Sequence, residues 1–255
     1  MAIAATTAGI NTMVANTPDK CAFGCHEADT SPNDYYGLAR SLGVTLRMDL
    51  LRQATQNLMA TARATASGNN ATYRAAIYTF NIGFNTITSL TSNLSTAQSQ
   101  AGNIDIYEVP YQNWNNDTIT NYTNAMTQIN SIMPTPGNGT NQTGDTPQEV
   151  MFFVTDGVED ENVNGSRVQS LMNPSYCTTI KNRGIRIAVL YTTYLPLPTN
   201  SWYNSYIKPF QANIGPTLQS CASPGLFFQV STNDDISAAM ITLFDTAVAT
   251  AHLTQ

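Results

Sequence analysis

The chain has unusually little charge. Asp, Glu, Lys and Arg together make up 11% of its 255 residues, against about 25% in an ordinary soluble domain. Basic residues never cluster; the densest stretch is Lys181, Arg183 and Arg186. With no patch able to neutralise phosphates, nucleic acid is excluded as a partner. Histidine is nearly missing: there are 2, His26 and His252, so general bases and imidazole ligands are scarce. No apolar run reaches the roughly 18 residues that a membrane span needs. The opening, MAIAATTAGINTMVA, lacks a basic start and a strong apolar centre, so it does not read as a signal peptide. No Gly-x-Ser-x-Gly, phosphate-binding loop or Gly-x-Gly-x-x-Gly occurs, which leaves the common hydrolase and nucleotide motifs without a foothold.

What is present suits a large core. Hydrophobic residues make up 42% of the chain and aromatics 9%, which excludes wholesale disorder. Asn, Thr and Ser take over the surface role of charge, as expected of a protein working outside the cytosol, and the net charge is −6. The 4 cysteines, Cys21, Cys25, Cys177 and Cys221, are an even set that pairs naturally as Cys21–Cys25 and Cys177–Cys221 in an oxidising compartment. Four reduced, buried thiols are the alternative.

Short β-branched or aromatic runs alternate with amphipathic stretches. Residues 75–82, 104–110, 149–155, 185–194 and 226–230 read as strands. Their near-continuous apolar character predicts strands buried on both faces, as in a parallel sheet covered by helices. Helical spacing appears over 44–64, 120–133, 176–182 and 234–252, with Asn233, Asp234 and Asp235 capping the last. The alternation predicts an α/β fold: a doubly wound, mostly parallel sheet with helices on both faces. Residues 14–40 and 195–224 break the rhythm and read as insertions, the second with a short helix near 202–212. The whole chain, 1–255, reads as a single domain.

The sharpest chemical feature is Asp156, followed by Gly157, at the end of strand 149–155. Ligands of open parallel sheets bind beyond the carboxyl ends of the strands. Asp156 either caps the turn or faces such a ligand. Asn115 to Thr120 forms a second run of oxygen-bearing side chains on the same side, and a hydroxyl beside a carboxylate suits a hard cation such as Mg²⁺. Glu159, Asp160 and Glu161 read either as a solvated loop or as the rim of a recognition surface. Cys21-Ala-Phe-Gly-Cys25-His26 is one residue too long for haem attachment and has no second pair at zinc-finger spacing, so a local disulfide is expected there.

Here the chain resembles a known family. FFVTDGVEDE (152–161) is similar to the fourth strand and metal-site aspartate of von Willebrand factor type A domains. TNYTNAM (120–126) resembles that family's threonine-bearing loop and helix, and RMDLLRQATQNLM (47–59) its first helix. The resemblance implies Asp156 and Thr120 as metal ligands, with Thr118 as the alternative threonine. More narrowly, FVTDGVEDE, GIRIAVLYTTYLPLP and SCASPGLFFQV look like TadG-type proteins of bacterial tight-adherence (Flp) pilus systems. That likeness implies a pilus-assembly or adhesion module binding a pilus or cell-envelope protein. It also implies a periplasmic or cell-surface location and a membrane anchor upstream.

The sequence departs from the family at one point. The Asp-x-Ser-x-Ser motif and the first strand are not found, and Met1 resembles the residue just after that motif. The expectation is therefore Mg²⁺ binding in a longer protein, and weak or no binding here. The other readings are an exported hydrolase using strand-end carboxylates, and a structural domain whose metal site has decayed. The absence of a nucleophile–base pair weighs against the hydrolase.

Overall fold

A computed structural model describes residues 26–27, 39, 42–109, 120–139, 144–231 and 234–252. Its centre is a parallel three-stranded sheet in the order β5–β8–β9. Strand β1 is His26–Glu27, β2 Ala75–Phe80, β3 Phe84–Thr91 and β4 Glu108–Val109. Strand β5 is Val150–Thr155, β6 Val158–Val163, β7 Ser166–Leu171, β8 Arg186–Thr192 and β9 Phe227–Val230. The helices are α1 (Arg47–Asn69), α2 (Leu94–Gln100), α3 (Tyr122–Ile132), α4 (Ser175–Lys181), α5 (Ser201–Tyr206), α6 (Lys208–Gln211), α7 (Ile214–Cys221) and α8 (Ile236–His252).

The sheet separates two hydrophobic cores, and β8 feeds both. Ala188 and Leu190 point into the first, with Ala54, Leu58, Met59 and Ala62 of α1 and Ile236, Met240 and Leu243 of α8. Ile187, Val189 and Tyr191 point into the second, with Tyr122 and Met126 of α3, Cys177 and Ile180 of α4, and Ile214 and Leu218 of α7. A strand alternates its side chains between faces, so an unbroken apolar run is what a strand covered by helices on both sides requires. The chain is thus a mixed α/β fold with a parallel sheet flanked by helices.

Local chemistry sets the helix ends. The Asp49 carboxylate reaches back to accept the Leu46 N–H at 2.8 Å, and Asn70 closes α1 in the left-handed region at φ 50°, a conformation asparagine tolerates. Helix α8 is capped by Asp235, whose Oδ1 accepts from the Ala238 N–H at 3.0 Å. A disulfide joins Cys177 in α4 to Cys221 in α7, with Cα atoms 5.2 Å apart. The expected Cys21–Cys25 pair lies outside the described residues.

Several expected elements differ. Strand 75–82 does not join the parallel sheet; β2 pairs antiparallel with β3, a strand that the half-polar pattern of Phe84–Thr91 does not announce. Of the strand expected over 104–110, Glu108–Val109 is the part that forms a strand among the described residues, and it pairs in parallel with His26–Glu27 in a separate two-stranded sheet. Ile104 is buried instead as a core side chain. The short helix expected near 202–212 is a run of three, α5 to α7. Ile207, Ile214 and Leu218 are buried there, so this excursion supplies part of the second core. The acidic stretch 159–161 is not a solvated loop. It lies in β6, paired antiparallel with β7, and Glu159 and Asp160 are buried.

Candidate functional site

The carboxyl end of β5, the amino end of α3 and the start of β6 converge. Thr155 ends β5, and its hydroxyl is hydrogen-bonded to the phenol of Tyr122 in the first turn of α3. The same Oγ1 accepts the Gly157 N–H at 3.0 Å. Thr120, just before α3, forms a two-way main-chain bridge with Asp160, each N–H donating to the other's carbonyl at 3.0 Å. Gly157 turns the chain between β5 and β6 with φ 85°. A side chain there would be strained by the backbone and would sit 2.3 Å from Ile214 Cγ2.

Asp156 stands at this junction. Its side chain reaches solvent, yet protein crowds it on every other side, and that desolvation raises its carboxyl pKa; the Val158 N–H and nearby Arg47 act in the opposite direction. The Val158 N–H donates to its Oδ1 at 3.3 Å, and among the described residues it forms no salt bridge. Arg47 itself is tied to the carboxyl end of β8 by a 2.9 Å bond to the Thr193 carbonyl.

Tyrosines surround this carboxylate. Tyr122 is fully buried, and burial followed by the charge of Asp156 raises its pKa well above the usual phenol value, so it acts as a neutral hydrogen-bonding group. Tyr194 is pushed up to about 12 by burial, then by Asp156, Tyr203 and Asp160. Its ring stacks on Tyr203 at 6.4 Å, and the Tyr203 hydroxyl is bonded to Gln211 Oε1. The Gln211 amide returns to the Tyr194 carbonyl at 2.9 Å. Beside them lies a groove of about 440 Å³ lined by Tyr191, Tyr194, Lys208, Gln211 and Gln229 among others.

The neighbouring acids are already occupied or enclosed. Asp160 takes Arg167 Nε at 2.9 Å and Nη2 at 2.5 Å, and the Gln169 amide at 2.8 Å. Arg167 also lies over the Trp202 ring, 5.2 Å from its centroid. Glu159 accepts the Ser170 hydroxyl at 3.2 Å on one oxygen, while its other oxygen is buried without a partner. Burial and then Glu161 raise its pKa, against Ser170 and the amides of Thr123 and Tyr122.

The expected ligands therefore meet different fates. Asp156 and Thr120 belong to the same end of the sheet, where Thr120 bonds to Asp160 through its main chain. Thr118 lies outside the described residues. Mg²⁺ demands near-octahedral oxygen coordination. Asp156 offers one accessible carboxylate, the Thr155 hydroxyl is committed, and Asp160 is taken by Arg167. No group of three or more His, Cys, Asp or Glu among the described residues could hold a metal ion. These residues do not by themselves fit Mg²⁺. Sequence reasoning missed the tyrosine and Arg47 surround, because Tyr122, Tyr191, Tyr194 and Arg47 come from segments far apart in the sequence.

No protein-family profile and no curated protein matches the chain. Among solved structures, it is similar to the pilus adhesin SpaC from Lactobacillus rhamnosus GG at 14% identity and TM-score 0.49, over 82% of this chain and 28% of that one. It is similar to the conserved hypothetical protein BatB from Bacteroides thetaiotaomicron at 15% identity and TM-score 0.49, over 80% and 89%. Proximal thread matrix protein 1 from the mussel byssus follows at 11% identity and TM-score 0.48, over 78% and 42%. The chain thus spans little more than a quarter of the adhesin. Likenesses this loose assign no family.

Proposed function

We propose that this chain is a non-catalytic binding and assembly module of a bacterial surface pilus system of the tight-adherence kind. It would recognise a protein partner through the carboxyl-end rim of the sheet. The observation that carries this reading is Asp156, a solvent-reachable carboxylate at the tip of β5 with no salt bridge among the described residues. A charge placed there against desolvation suits a group that a partner completes. The likeness of 153–161, 184–198 and 220–230 to TadG-type proteins supports the choice of a pilus or cell-envelope partner.

In this reading Mg²⁺ dependence belongs to a protein that supplies further oxygen ligands to Asp156 and Thr120, and this chain alone binds the ion weakly. A periplasmic or cell-surface location is supported by the Cys177–Cys221 disulfide. The membrane anchor would lie in a preceding segment; among the described residues no helix is long and apolar enough to cross a membrane. Non-catalytic action is supported by the make-up of the rim. Among the described residues, its carboxylates, phenols and Arg47 include no nucleophile beside a base.

The test is photo-crosslinking from position 195, where Leu195 is 39% exposed near the rim, in cells that produce the pilus. A covalent adduct with a pilus or envelope protein is expected. It should disappear in Asp156→Asn while circular dichroism stays unchanged. An adduct that survives Asp156→Asn, or none at all, sinks the reading.

A further inference from the structure

Helix α7 lies against the turn that presents Asp156. A methyl group placed on Gly157 would meet Ile214 Cγ2 at 2.3 Å and Leu218 Cδ1 at 2.9 Å. The backbone of the turn therefore sits directly on these two side chains. Ile214, Leu218 and Cys221 are all buried, and their spacing puts them on one face of the helix. The face that touches the turn is thus the face that carries the sulfur. Cys221 is bonded across to Cys177 in α4.

The sequence of α7 gives it little helical strength of its own. Its 8 residues, IGPTLQSC, include Gly215, Pro216, Thr217 and Ser220, and Asn213 makes no side-chain cap at its start. Helices this short are marginal in water, and glycine and threonine weaken them further. Its placement therefore depends on tertiary ties, and these gather at its carboxyl end. Besides the bridge, Lys181 Nζ donates to the Ser220 carbonyl at 2.9 Å. The Ser223 N–H donates to the Ile187 carbonyl at 2.8 Å, and its hydroxyl accepts the Ile187 N–H at 3.0 Å. Ser223 lies beyond the helix, whereas the bridge grips the face that meets Gly157.

We propose that the Cys177–Cys221 bridge is a redox-sensitive latch on the rim. Closing it seats α7 against the Asp156–Gly157 turn. Opening it frees α7 and the turn together and leaves the sheet folded. Closure breaks both S–H bonds and forms the S–S bond; a disulfide oxidant takes up the electron pair and both protons as it becomes a pair of thiols. Opening is the reverse exchange with a dithiol reductant. Both cysteines are fully buried, so the closed latch is screened from reductants until α7 lifts. Such bonds form and persist in oxidising compartments, and the rim takes its final shape only there. As regulation of partner binding, this rests on the reading of Asp156 as the partner's contact. The coupling of bridge to turn does not.

Nuclear magnetic resonance tests the coupling, using the full chain with Cys21→Ser and Cys25→Ser so that Cys177 and Cys221 are its only thiols. The chain is refolded in dithiothreitol, and one portion is then oxidised with glutathione disulfide. In the oxidised chain, nuclear Overhauser contacts are expected from the Gly157 α-protons to the methyls of Ile214 and Leu218. In the reduced chain these should be lost. The edge contact between Tyr73 and Phe244 in the first core, with centroids 5.9 Å apart, should persist in both. Gly157 contacts of equal strength in the two forms, or absent from both, overturn the proposal. So does their loss together with the Tyr73–Phe244 contact, because the bridge then serves the whole fold rather than the rim. No partner is present, so failure here leaves the crosslinking result at position 195 to be judged separately.

Discussion

Tyr122 and Thr155, 33 residues apart in the sequence, share a buried hydrogen bond at the point where β5 meets α3. That bond joins the central sheet to the helix bearing the loop threonine, and the Thr155 hydroxyl passes it on to the Gly157 amide. Tyr122→Phe removes the phenol while keeping the ring contacts with Phe80 and Phe153. The expected loss is about 1–2 kcal/mol, the usual cost of deleting a buried hydrogen bond. It should be read from urea unfolding with an unchanged slope. A neutral substitution would mean that water replaces the phenol.

Gly157→Ala should cost more. The residue sits at φ 85°, and a methyl group placed on it would come within 2.3 Å of Ile214 and 2.9 Å of Leu218. Left-handed strain and overpacking together suggest on the order of 3 kcal/mol. Pairing it with Ile214→Ala should recover only the overpacking part of a thermal-melting deficit measured against Ile214→Ala alone. Full recovery would show that backbone conformation contributes nothing.

The Cys177–Cys221 bridge spans 44 residues of sequence. On the chain-entropy model a loop of that size is worth about 4 kcal/mol. The Cys177→Ser, Cys221→Ser double variant should fall short of the parent by that order in denaturant titration. Equal stability of the two proteins would refute a structural role for the bond.

Stability should also respond to pH through Glu159. Burial holds its carboxyl protonated to higher pH in the folded chain, whereas the unfolded chain ionises at the ordinary carboxylate value. The folded state therefore binds the proton more tightly, and stability drops as pH rises from the ordinary carboxylate range through the raised folded value. Asp156 and Glu149 are shifted the same way by burial, so part of the slope persists in any single variant. Glu159→Gln should flatten the fall of melting temperature as pH rises above the ordinary carboxylate range. An identical profile in variant and parent contradicts the assignment.

Isothermal calorimetry of Mg²⁺ into the chain should show no micromolar site, because hexacoordination needs more oxygens than Asp156 and its uncommitted neighbours supply. A micromolar site abolished by Asp156→Asn would overturn that expectation and place the missing ligands within this chain.

The parallel sheet was legible because β8 is buried on both faces, and unbroken apolar runs such as Ile187–Tyr191 have few other uses. The Cys177–Cys221 pairing was legible from count and compartment. What escaped was strand-forming sequence without that signature. FNTITSLT in β3 and SRVQSL in β7 are half polar, since each lies in a hairpin with one face open. The acidic stretch of β6 looked solvated because nothing local announces that Arg167 and Gln169, across the hairpin, satisfy Asp160. At the rim, Asp156 followed from its place after a buried strand. The tyrosines that feel its charge, Tyr122, Tyr191 and Tyr194, come from elements far apart along the chain, and short-range patterning carries no trace of that.

The disulfide has a further consequence for wear. Cys177 and Cys221 bracket β8 and the exposed Leu195 segment that follows it. A protease that nicks the chain near Leu195 would therefore cut one polypeptide into two pieces still tethered through sulfur. On a non-reducing gel the nicked protein would migrate with the intact one, and only a thiol reductant would part them.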